Sequence, residues 1–578
     1  MAERGFSVDV YERQPHYVGG KARSVDVPKL RKDNRPDLPG EHGFRFFPGF
    51  YKHVTDTMKR IPYGINKQGV FDNLVPSERA MLARFDKPPL QTLVNFPKNL
   101  ADFETILEDL TAGGQTGLTE KDKKLFAHSL WRILTSSYER RQQVYERQNW
   151  WDFMQTDEQR AVDNVPKGQL SPYEIYCVGG LTHSLVAAQP RLMSVKTGGD
   201  ILLQLLLLMA SPGAHTDRVL NGPTNEVWLN PWLTHLTTTL GVRYHQQRFV
   251  TRMICDPKTR RVTAAYVRAN EGDVEERIEA DYYVCAMPLE RMAQLLDKSP
   301  SLVKADGTLR FIQRLAAPKQ KSLNWMNGIQ FYLNQDVPHP RGHIICLDSP
   351  WAVTGISQAQ FWPQHPLSGY GDGTVKGIIS VDVSDWFAKG LNNKSAADCT
   401  KEEIVEEVWA QLKKSLKLAS GECLLTDEML KDYYIDSDIE CETNQPKHPL
   451  PQNPFKSNHN TEPLLVNTAN SWSLRPNSFC NIENLFLASD YVRTNTDLAT
   501  MEGANEAARR AVNGIITASG SGAPLCKIWP LHEPDILAVL RWEDRRRFAK
   551  GLPWSSEPEL GGPAAARGQP PVPPIFGS

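Results

Sequence analysis

Charge of one sign, long apolar runs and paired cysteines are all scarce in this sequence of 578 residues. Lys and Arg number 66 against 67 Asp and Glu, and this balance lacks the basic excess that a nucleic-acid-binding protein needs. The longest apolar run, Ile201 to Ala210, falls far short of the ~20 residues that a transmembrane helix requires. These absences exclude a nucleic-acid partner and a membrane-embedded fold.

The nine cysteines are scattered and form no C-x-x-C pair, which favours reduced thiols over a disulfide framework or a zinc ribbon. Glu3 and Asp9 lie in a first segment without an apolar stretch, so no signal peptide is predicted. We therefore expect a cytoplasmic protein. No metal-ligand spacing and no Ser-His-Asp order is visible, so no metal site is predicted and the catalytic residues stay unknown.

Alternating and buried apolar segments predict strands along much of the chain. Residues Phe6 to Glu12 alternate apolar and polar side chains and end in an acid. Several short β-type segments between Gly241 and Pro288 predict a meander. Asn484 to Asp490, sequence NLFLASD, predicts a buried strand that also ends in an acid, followed by a helix that begins near Met501.

The acid at the end of the first strand is followed by a glycine-rich segment. A carboxylate such as Glu12 at this place can accept hydrogen bonds from the ribose of a dinucleotide. Gly19 and Gly20 allow close backbone approach, and Lys21 and Arg23 are cations that can face phosphate. Each feature alone also has an ordinary interpretation, as a polar strand end or as a glycine turn with solvated cations.

In this order the acid and the Gly-Gly-Lys-Ala-Arg-Ser segment resemble the G-G-[RK]-x-x-[ST] element of the flavin-dependent amine oxidase and carotenoid (phytoene, zeta-carotene) desaturase superfamily. Gly40 to Tyr51 resembles a segment of the plant-type desaturases and of hydroxysqualene dehydroxylase-like proteins, with His42 displaced from the usual histidine position. Leu485 to Asp490 resembles the L-F-x-A-G-[DE] strand, with Ser489 in place of its glycine. The resemblance spans residue 6 to about 516.

The resemblance implies FAD as the cofactor. It places the ribose at the first acid, the adenine near the meander, the ribityl chain at the second acid, and the flavin N1/O2 edge at the start of the last helix. The expected cofactor-binding residues are Glu12, Gly19, Gly20, Lys21, Arg23, Gly43, Phe44, Val250, Asp490 and Met501.

The implied fold is α/β, with a Rossmann-like FAD-binding domain interleaved with a mixed α+β substrate domain. We assign residues 1–60, 226–300 and 476–520 to the FAD-binding domain and residues 61–225 and 301–475 to the substrate domain. Residues 521–556 are expected to form a helical extension and residues 557–578 a disordered tail. The family's first strand and G-x-G-x-x-G loop, which should precede Phe6, are absent. Either the start codon lies upstream of Met1, which is the interpretation we favour, or this form does not hold FAD tightly.

The implied activity is that of a FAD-dependent oxidoreductase, in which a substrate carbon transfers a hydride to flavin N5. Asp348 to Ala352 and Ser357 to Trp362 resemble a segment of the hydroxysqualene dehydroxylase-like flavoproteins, which favours desaturation or another oxidation of an apolar, isoprenoid-type substrate. An amine oxidase acting on a C–N bond and a non-redox flavin-fold binding protein are the alternatives. The electron acceptor is unknown. Arginines among apolar residues from Asp535 to Trp554 are compatible with peripheral membrane association or with a packed surface helix.

Overall fold

A computed structural model describes residues 1–32, 34–77, 79–92, 116–180, 189–209, 217–337, 341–418, 420–443 and 455–556. Its strands are β1 Asp9–Tyr11, β2 Ser24–Val27, β3 Leu38–Glu41, β4 Leu74–Pro76, β5 Arg79–Arg84, β6 Lys87–Thr92, β7 Arg218–Leu220, β8 Arg243–His245, β9 Phe249–Asp256, β10 Arg261–Arg268, β11 Glu276–Ile278, β12 Tyr283–Cys285, β13 Leu323–Asn324, β14 Asn327–Leu333, β15 Gly342–Cys346, β16 Val353–Ser357, β17 Gly377–Val383, β18 Leu430–Ile435, β19 Ile439–Thr443, β20 Phe455–Asn460, β21 Leu464–Leu465 and β22 Leu485–Leu487.

The α-helices of the described residues are α1 His53–Met58, α2 Glu120–Thr135, α3 Tyr138–Gln143, α4 Trp150–Phe153, α5 Thr156–Val162, α6 Val195–Met209, α7 Asn230–Thr234, α8 Leu289–Lys298, α9 Pro300–Ala305, α10 Arg310–Ala316, α11 Lys401–Ser415, α12 Met501–Ser519 and α13 Ala538–Ala549. Of the helices that the structure describes, none is both long and apolar enough to cross a bilayer.

The largest sheet has seven strands in the order β18-β14-β17-β16-β15-β5-β6. Its neighbours are antiparallel except for β15 and β5, which run parallel. β14 and β17 are buried along their whole length, because α11 covers one face and the β2–β3 hairpin approaches the other. The strands come from residues 79–92 and 327–435, both within the segments assigned above to the substrate domain.

Local capping fixes the ends of the long helices that support this sheet. Thr119 and Asp122 form a reciprocal capping box at the start of α2, and Thr400 and Glu403 do the same for α11. The buried side of α11 then packs Trp409 against Phe331 of β14.

Two parallel strand pairs form the part of the sheet expected in the FAD-binding domain. β1 pairs with β8, and β12 pairs with β22. The antiparallel meander contains β9, β10 and β11 only. The predicted meander from Gly241 to Pro288 is therefore wrong at both ends, because its first and last strands pair with distant parallel strands instead of with their neighbours in sequence.

A buried ion cluster fixes the loop before α12 to the start of α6. Asp497 contacts Arg475, and its second oxygen accepts hydrogen bonds from Lys196 at 2.6 Å and from Thr197 at 2.7 Å. All four residues are buried. The carboxylate therefore balances the charge of two buried cations, and Arg475 also donates to three backbone carbonyls.

The C-terminal extension is helical only in its second half. Residues 521–534 are irregular, and α13 packs on α2 and α3. Asp544 of α13 is buried and accepts hydrogen bonds from the Arg140 side chain at 2.8 Å and from the Ser137 amide at 2.7 Å. Of the two arrangements considered for residues 535–554, the structure thus shows the packed surface helix. The predicted disordered tail, residues 557–578, lies outside the described residues.

Candidate functional site

A cavity of about 2050 Å³ lies between the parallel strand pairs and the large sheet. Ordinary ligand pockets measure roughly 300–1,000 Å³, so this one has room for a dinucleotide and a second molecule. Nine of the ten expected cofactor-binding residues border it: Glu12, Gly19, Gly20, Lys21, Arg23, Phe44, Val250, Asp490 and Met501.

Glu12 follows the carboxyl end of β1 and borders the cavity there. Its backbone continues the parallel pairing, since its amide donates to the His245 carbonyl at 2.9 Å. Its side chain accepts a hydrogen bond from the Gln14 amide at 2.8 Å. Burial raises the pKa of Glu12, and the hydrogen bond from Gln14 opposes that rise. The carboxylate retains acceptor capacity for a sugar hydroxyl.

The glycine-rich segment turns sharply beside Glu12. Gly19 and Gly20 have φ angles of +94° and +55°, and an added Cβ on Gly20 would meet no atom within 4 Å. Lys21 does not present a free ammonium, because it contacts the Pro463 carbonyl and lies 3.3 Å from Glu290. The expectation that Lys21 faces phosphate therefore requires this pairing to break.

Arg23 is held by its terminal nitrogens and leaves one donor unused. It donates to the Gly20 carbonyl at 2.8 Å and lies 3.2 Å from Asp438. Its Nε is buried without a hydrogen-bond partner in the described part of the chain. A buried guanidinium donor without an acceptor is costly, and a phosphate or flavin oxygen in the cavity would satisfy it.

Gly43 lies behind the cavity wall and does not border it. Its φ is +149°, and an added Cβ would lie 2.1 Å from Oδ1 of Asp382. Phe44, the next residue, borders the cavity instead. Arg45 then turns back and donates to the Lys21 carbonyl at 2.6 Å and the Ala22 carbonyl at 3.2 Å. The glycine thus gives Asp382 room, and Arg45 holds the glycine-rich segment in place.

The last strand and helix place Asp490 and Met501 at the same cavity. Ser489, which stands where the resemblance has glycine, has a φ of +97°, an unfavourable angle for a residue with a Cβ. The α12 helix begins at Met501 with Thr500 as N-cap, whose side chain accepts from the Gly503 amide at 3.2 Å. The positive end of a 19-residue helix therefore borders the cavity, where it favours an anionic ring.

Val250 lies on β9 and is half-buried against the core of the parallel pairs. It borders the cavity from the side of the meander. Its position and apolar side chain are compatible with an adenine contact.

Titratable side chains cluster behind the segment from Glu41 to Arg45. Burial raises the pKa of Glu41 and of Asp382 to about 7, and Arg45 nearby opposes both rises. His42 lies 2.5 Å from Asp436 and 3.4 Å from Asp438, and these carboxylates raise its pKa to about 9 against the opposing effect of burial.

The side chains of His42, Asp436 and Asp438 are close enough together to ligate one cation. Arg23 is also paired with Asp438, however, and the raised pKa of His42 keeps its imidazole protonated. A protonated imidazole donates hydrogen bonds and does not bind metal. With Arg23, these side chains form a buried ion cluster, and Asp436 ties it to Asn327 at the start of β14 in the large sheet.

The residues present fit FAD. A carboxylate at a strand end, an unpartnered buried guanidinium donor, an open glycine and a helix N-terminus all border one large cavity. These are the groups that would hold the ribose, the phosphates and the flavin ring. When bound, FAD supplies a two-electron acceptor that takes a hydride from a substrate carbon.

A family model for flavin-containing amine oxidoreductases matches residues 1–516. The chain belongs to this family. The flavin-containing amine oxidoreductases use the cofactor that the cavity fits, so the protein is a FAD-dependent oxidoreductase of the amine oxidase type. A comparison with curated proteins gave no match.

Two solved structures are similar to this chain. An oxidoreductase from Methanosarcina mazei is similar with a TM-score of 0.52 at 12% identity, over 89% of this chain and 95% of that one. A cofactor-binding redesign of putrescine oxidase, a triple mutant, is similar with a TM-score of 0.48 at 11% identity, over 89% and 92% of the two chains. The first of these likenesses supports the α/β flavin fold of the family.

The structure also brings residues to the cavity that sequence reasoning missed. Asp382 and Arg45 belong to the cluster described above, and His343 and Asp217 border the cavity from the side of the large sheet. An aspartate inside the apolar strand GIISVDV was a detectable signal for Asp382, since a carboxylate in a buried strand needs a reason. No local pattern marks His343 or Asp217, which are joined only by the fold.

Proposed function

We propose that this flavoprotein oxidises a substrate with a long apolar part, which binds beside Phe44 in the same cavity as FAD. The observation that carries the proposal is the apolar face of α6, where Ile201, Leu202, Leu205 and Leu206 border the cavity.

Aromatic side chains extend this apolar wall. Trp228 and Trp232 border the cavity and stack with ring centroids 6.2 Å apart. Trp228 also meets Phe47 edge to face at 5.4 Å. Leucine and tryptophan side chains offer contact area but few hydrogen bonds, a lining that suits an isoprenoid chain better than a small diamine.

Oxidation of an amine is the second candidate, and the acids of the cavity favour it. Asp382 and Asp217 border the cavity, and either carboxylate in its charged form would attract an ammonium group. A substrate with both an amine and an apolar part would use both kinds of wall. The non-redox binding role is set aside, because the chain belongs to a family of oxidoreductases.

The experiment mixes the FAD-loaded protein with each test compound in the absence of oxygen. Flavin reduction is measured as the loss of its absorbance. The panel pairs isoprenoid hydrocarbons in detergent, squalene and phytoene, with the primary amines putrescine and benzylamine. Faster bleaching by the hydrocarbons supports the proposal, and faster bleaching by the amines supports the second candidate. Flavin that no compound of the panel bleaches would count against both.

A variant separates the apolar wall from the rest of the cavity. Leu205→Asn places a polar side chain on the cavity face of α6, and Leu207→Asn changes a buried leucine of the same helix that does not border the cavity. We expect Leu205→Asn to reduce the rate of bleaching by an apolar substrate by a larger factor than it reduces FAD affinity. Leu207→Asn should show no such difference. Equal effects of the two variants would contradict the placement of substrate on α6.

The electron acceptor stays unknown, and peripheral membrane association stays a prediction. A cytoplasmic location likewise stays a prediction drawn from the scattered cysteines. The division of the chain into two interleaved domains is part of the proposal, with FAD held by the parallel strand pairs and substrate by the large sheet and α6.

A further inference from the structure

A histidine and an aspartate meet on the side of the cavity formed by the large sheet. His343 lies on β15, paired with Ala80 of β5 on one side and Ile356 of β16 on the other. It borders the cavity together with Ala80 and Ile345 of the same sheet. Asp217 precedes β7 and borders the cavity beside it. The pair is therefore a polar spot on a largely apolar wall.

The contact between the two side chains fixes which nitrogen of the ring is free. Nε2 of His343 contacts Oδ2 of Asp217, and both side chains are 14% exposed. A neutral ring in this contact carries its hydrogen on Nε2, because a carboxylate only accepts hydrogen bonds. Among the described residues none forms a hydrogen bond with Nδ1. The lone pair of Nδ1 is thus available to take a proton.

The ring also lies next to an expected cofactor-binding residue. Its centroid is 5.2 Å from that of Phe44 and 5.5 Å from that of Phe46. Phe44 is one of the residues that the resemblance assigns to the cofactor, and it borders the cavity. His343 therefore lies beside a residue that is expected to bind the cofactor and, in the proposed function, to adjoin the substrate.

The other histidine of the described cavity wall is paired with two carboxylates. Nδ1 of His42 is 2.5 Å from Asp436 and 3.4 Å from Asp438. Its raised pKa, about 9, keeps it protonated at neutral pH, so it has no lone pair to offer. His343 differs in that it contacts one carboxylate, through Nε2, and has its ring against Phe44.

We propose that His343 is a catalytic residue that accepts, on Nδ1, the proton released when the substrate is oxidised, and that Asp217 is the positioning residue that holds the ring. The inference rests on the proposed function. Oxidation breaks a substrate C–H bond, whose hydrogen and both electrons go to the bound flavin as the oxidant. It also breaks a neighbouring N–H, O–H or C–H bond, whose proton goes to Nδ1 and whose electrons form the new double bond.

Asp217 has two effects in this arrangement. Its contact with Nε2 selects the tautomer in which Nδ1 is free, and its charge stabilises the imidazolium that forms. General acid–base groups of this kind contribute about 10²–10⁴-fold to rate. The substrate class does not alter the argument, since hydrocarbon and amine oxidation both release one proton for each hydride.

The first test determines which ring nitrogen of His343 carries the hydrogen, and it needs no turnover. Protein labelled with ¹⁵N-histidine is observed by NMR, and the His343 signals are assigned by their loss in His343→Gln. We expect the neutral ring to carry its hydrogen on Nε2, and we expect Asp217→Asn to weaken that preference while Asp217→Glu retains it. A ring with its hydrogen on Nδ1 would overturn the inference.

The second test is chemical rescue of flavin bleaching, with the panel compound that reduces the wild-type protein fastest. His343→Ala should slow bleaching at least 100-fold and leave the flavin spectrum unchanged. Added imidazole should then raise the bleaching rate of this variant at least 10-fold. His459→Ala, at an exposed position on β20, is the matched control and should bleach at the wild-type rate.

The outcomes separate the two proposals. An unaltered bleaching rate in His343→Ala, or a slow rate that imidazole does not restore, would overturn the role of His343 and leave the proposed function standing. No bleaching of the wild-type flavin by any compound would count against the proposed function, while the NMR result still decides whether Nδ1 is free.

Discussion

Replacing Glu41 with glutamine tests the physical account of the buried cluster. Glu41 is 1% exposed, and burial raises its pKa from the ordinary 4.5 to about 7. The folded protein therefore binds this proton more tightly than the unfolded chain does. The stability that the protonated Glu41 carboxyl contributes is fully present below pH 4.5 and is lost as the pH rises through 7.

The magnitude follows from the shift in pKa. At ~1.4 kcal/mol per pKa unit, ionising Glu41 in the folded protein costs about 3 kcal/mol by pH 8. Glutamine never ionises, and its amide can still accept from the Thr224 amide, now 3.2 Å from Oε1, and donate to the Thr224 hydroxyl, now 3.0 Å from Oε2. Glu41→Gln should therefore gain about 3 kcal/mol relative to wild type between pH 4.5 and 8.

The assay is urea unfolding of both proteins at pH 5, 6, 7 and 8, with the difference in unfolding free energy plotted against pH. We expect the difference to rise by about 1.4 kcal/mol per pH unit up to pH 7 and to level off above it. Glu406→Gln, at an exposed position on α11, is the control and should give a flat line. A flat or falling line for Glu41→Gln would refute the claim that burial dominates at this site.

Three further substitutions test the backbone and the buried charges, each by the urea midpoint. Ser489→Gly should raise the unfolding free energy by about 1 kcal/mol, because it relieves a φ of +97°, and an unchanged midpoint would contradict the strain. Gly43→Ala should lower it by about 3 kcal/mol or more, since its Cβ would lie 2.1 Å from Asp382; a wild-type midpoint would refute the close packing. Asp497→Asn should cost about 3–5 kcal/mol because it leaves two buried cations unbalanced, and a loss below 1 kcal/mol would argue that they are solvated.

The parts of the site that the sequence predicted share one physical basis. Glu12 and Asp490 each follow a strand of a parallel pair, β1 and β22, and both border the cavity. Open α/β folds bind their ligands outside the carboxyl ends of such strands. Glycine positions with positive φ and the start of α12 are likewise set by local chemistry that single residues reveal. These elements could be assigned before any distant contact was known.

The remaining parts depend on contacts between residues far apart in sequence. Lys21 appears in a phosphate-binding pattern, yet Glu290 and the Pro463 carbonyl, 269 and 442 positions away, engage it. His343 and Asp217 are 126 positions apart, and nothing near either residue predicts their contact. The ends of the predicted meander failed for the same reason, because strand partners are set by the whole sheet and not by the local pattern.

The pairing of β1 with β8 has a consequence for how the protein is made. Arg243 contacts Asp9 across 234 positions, and ribosomes add about 5–20 residues per second, so β1 emerges on the order of 10 to 50 s before its partner. β12 waits in the same way for β22, and α12 closes the cavity later still. During that interval the nascent chain exposes unpaired strand edges and the apolar face of α6, which are surfaces that chaperones bind. The cavity wall is complete only after residues 501–519 have been made, and cofactor capture therefore follows the synthesis of α12.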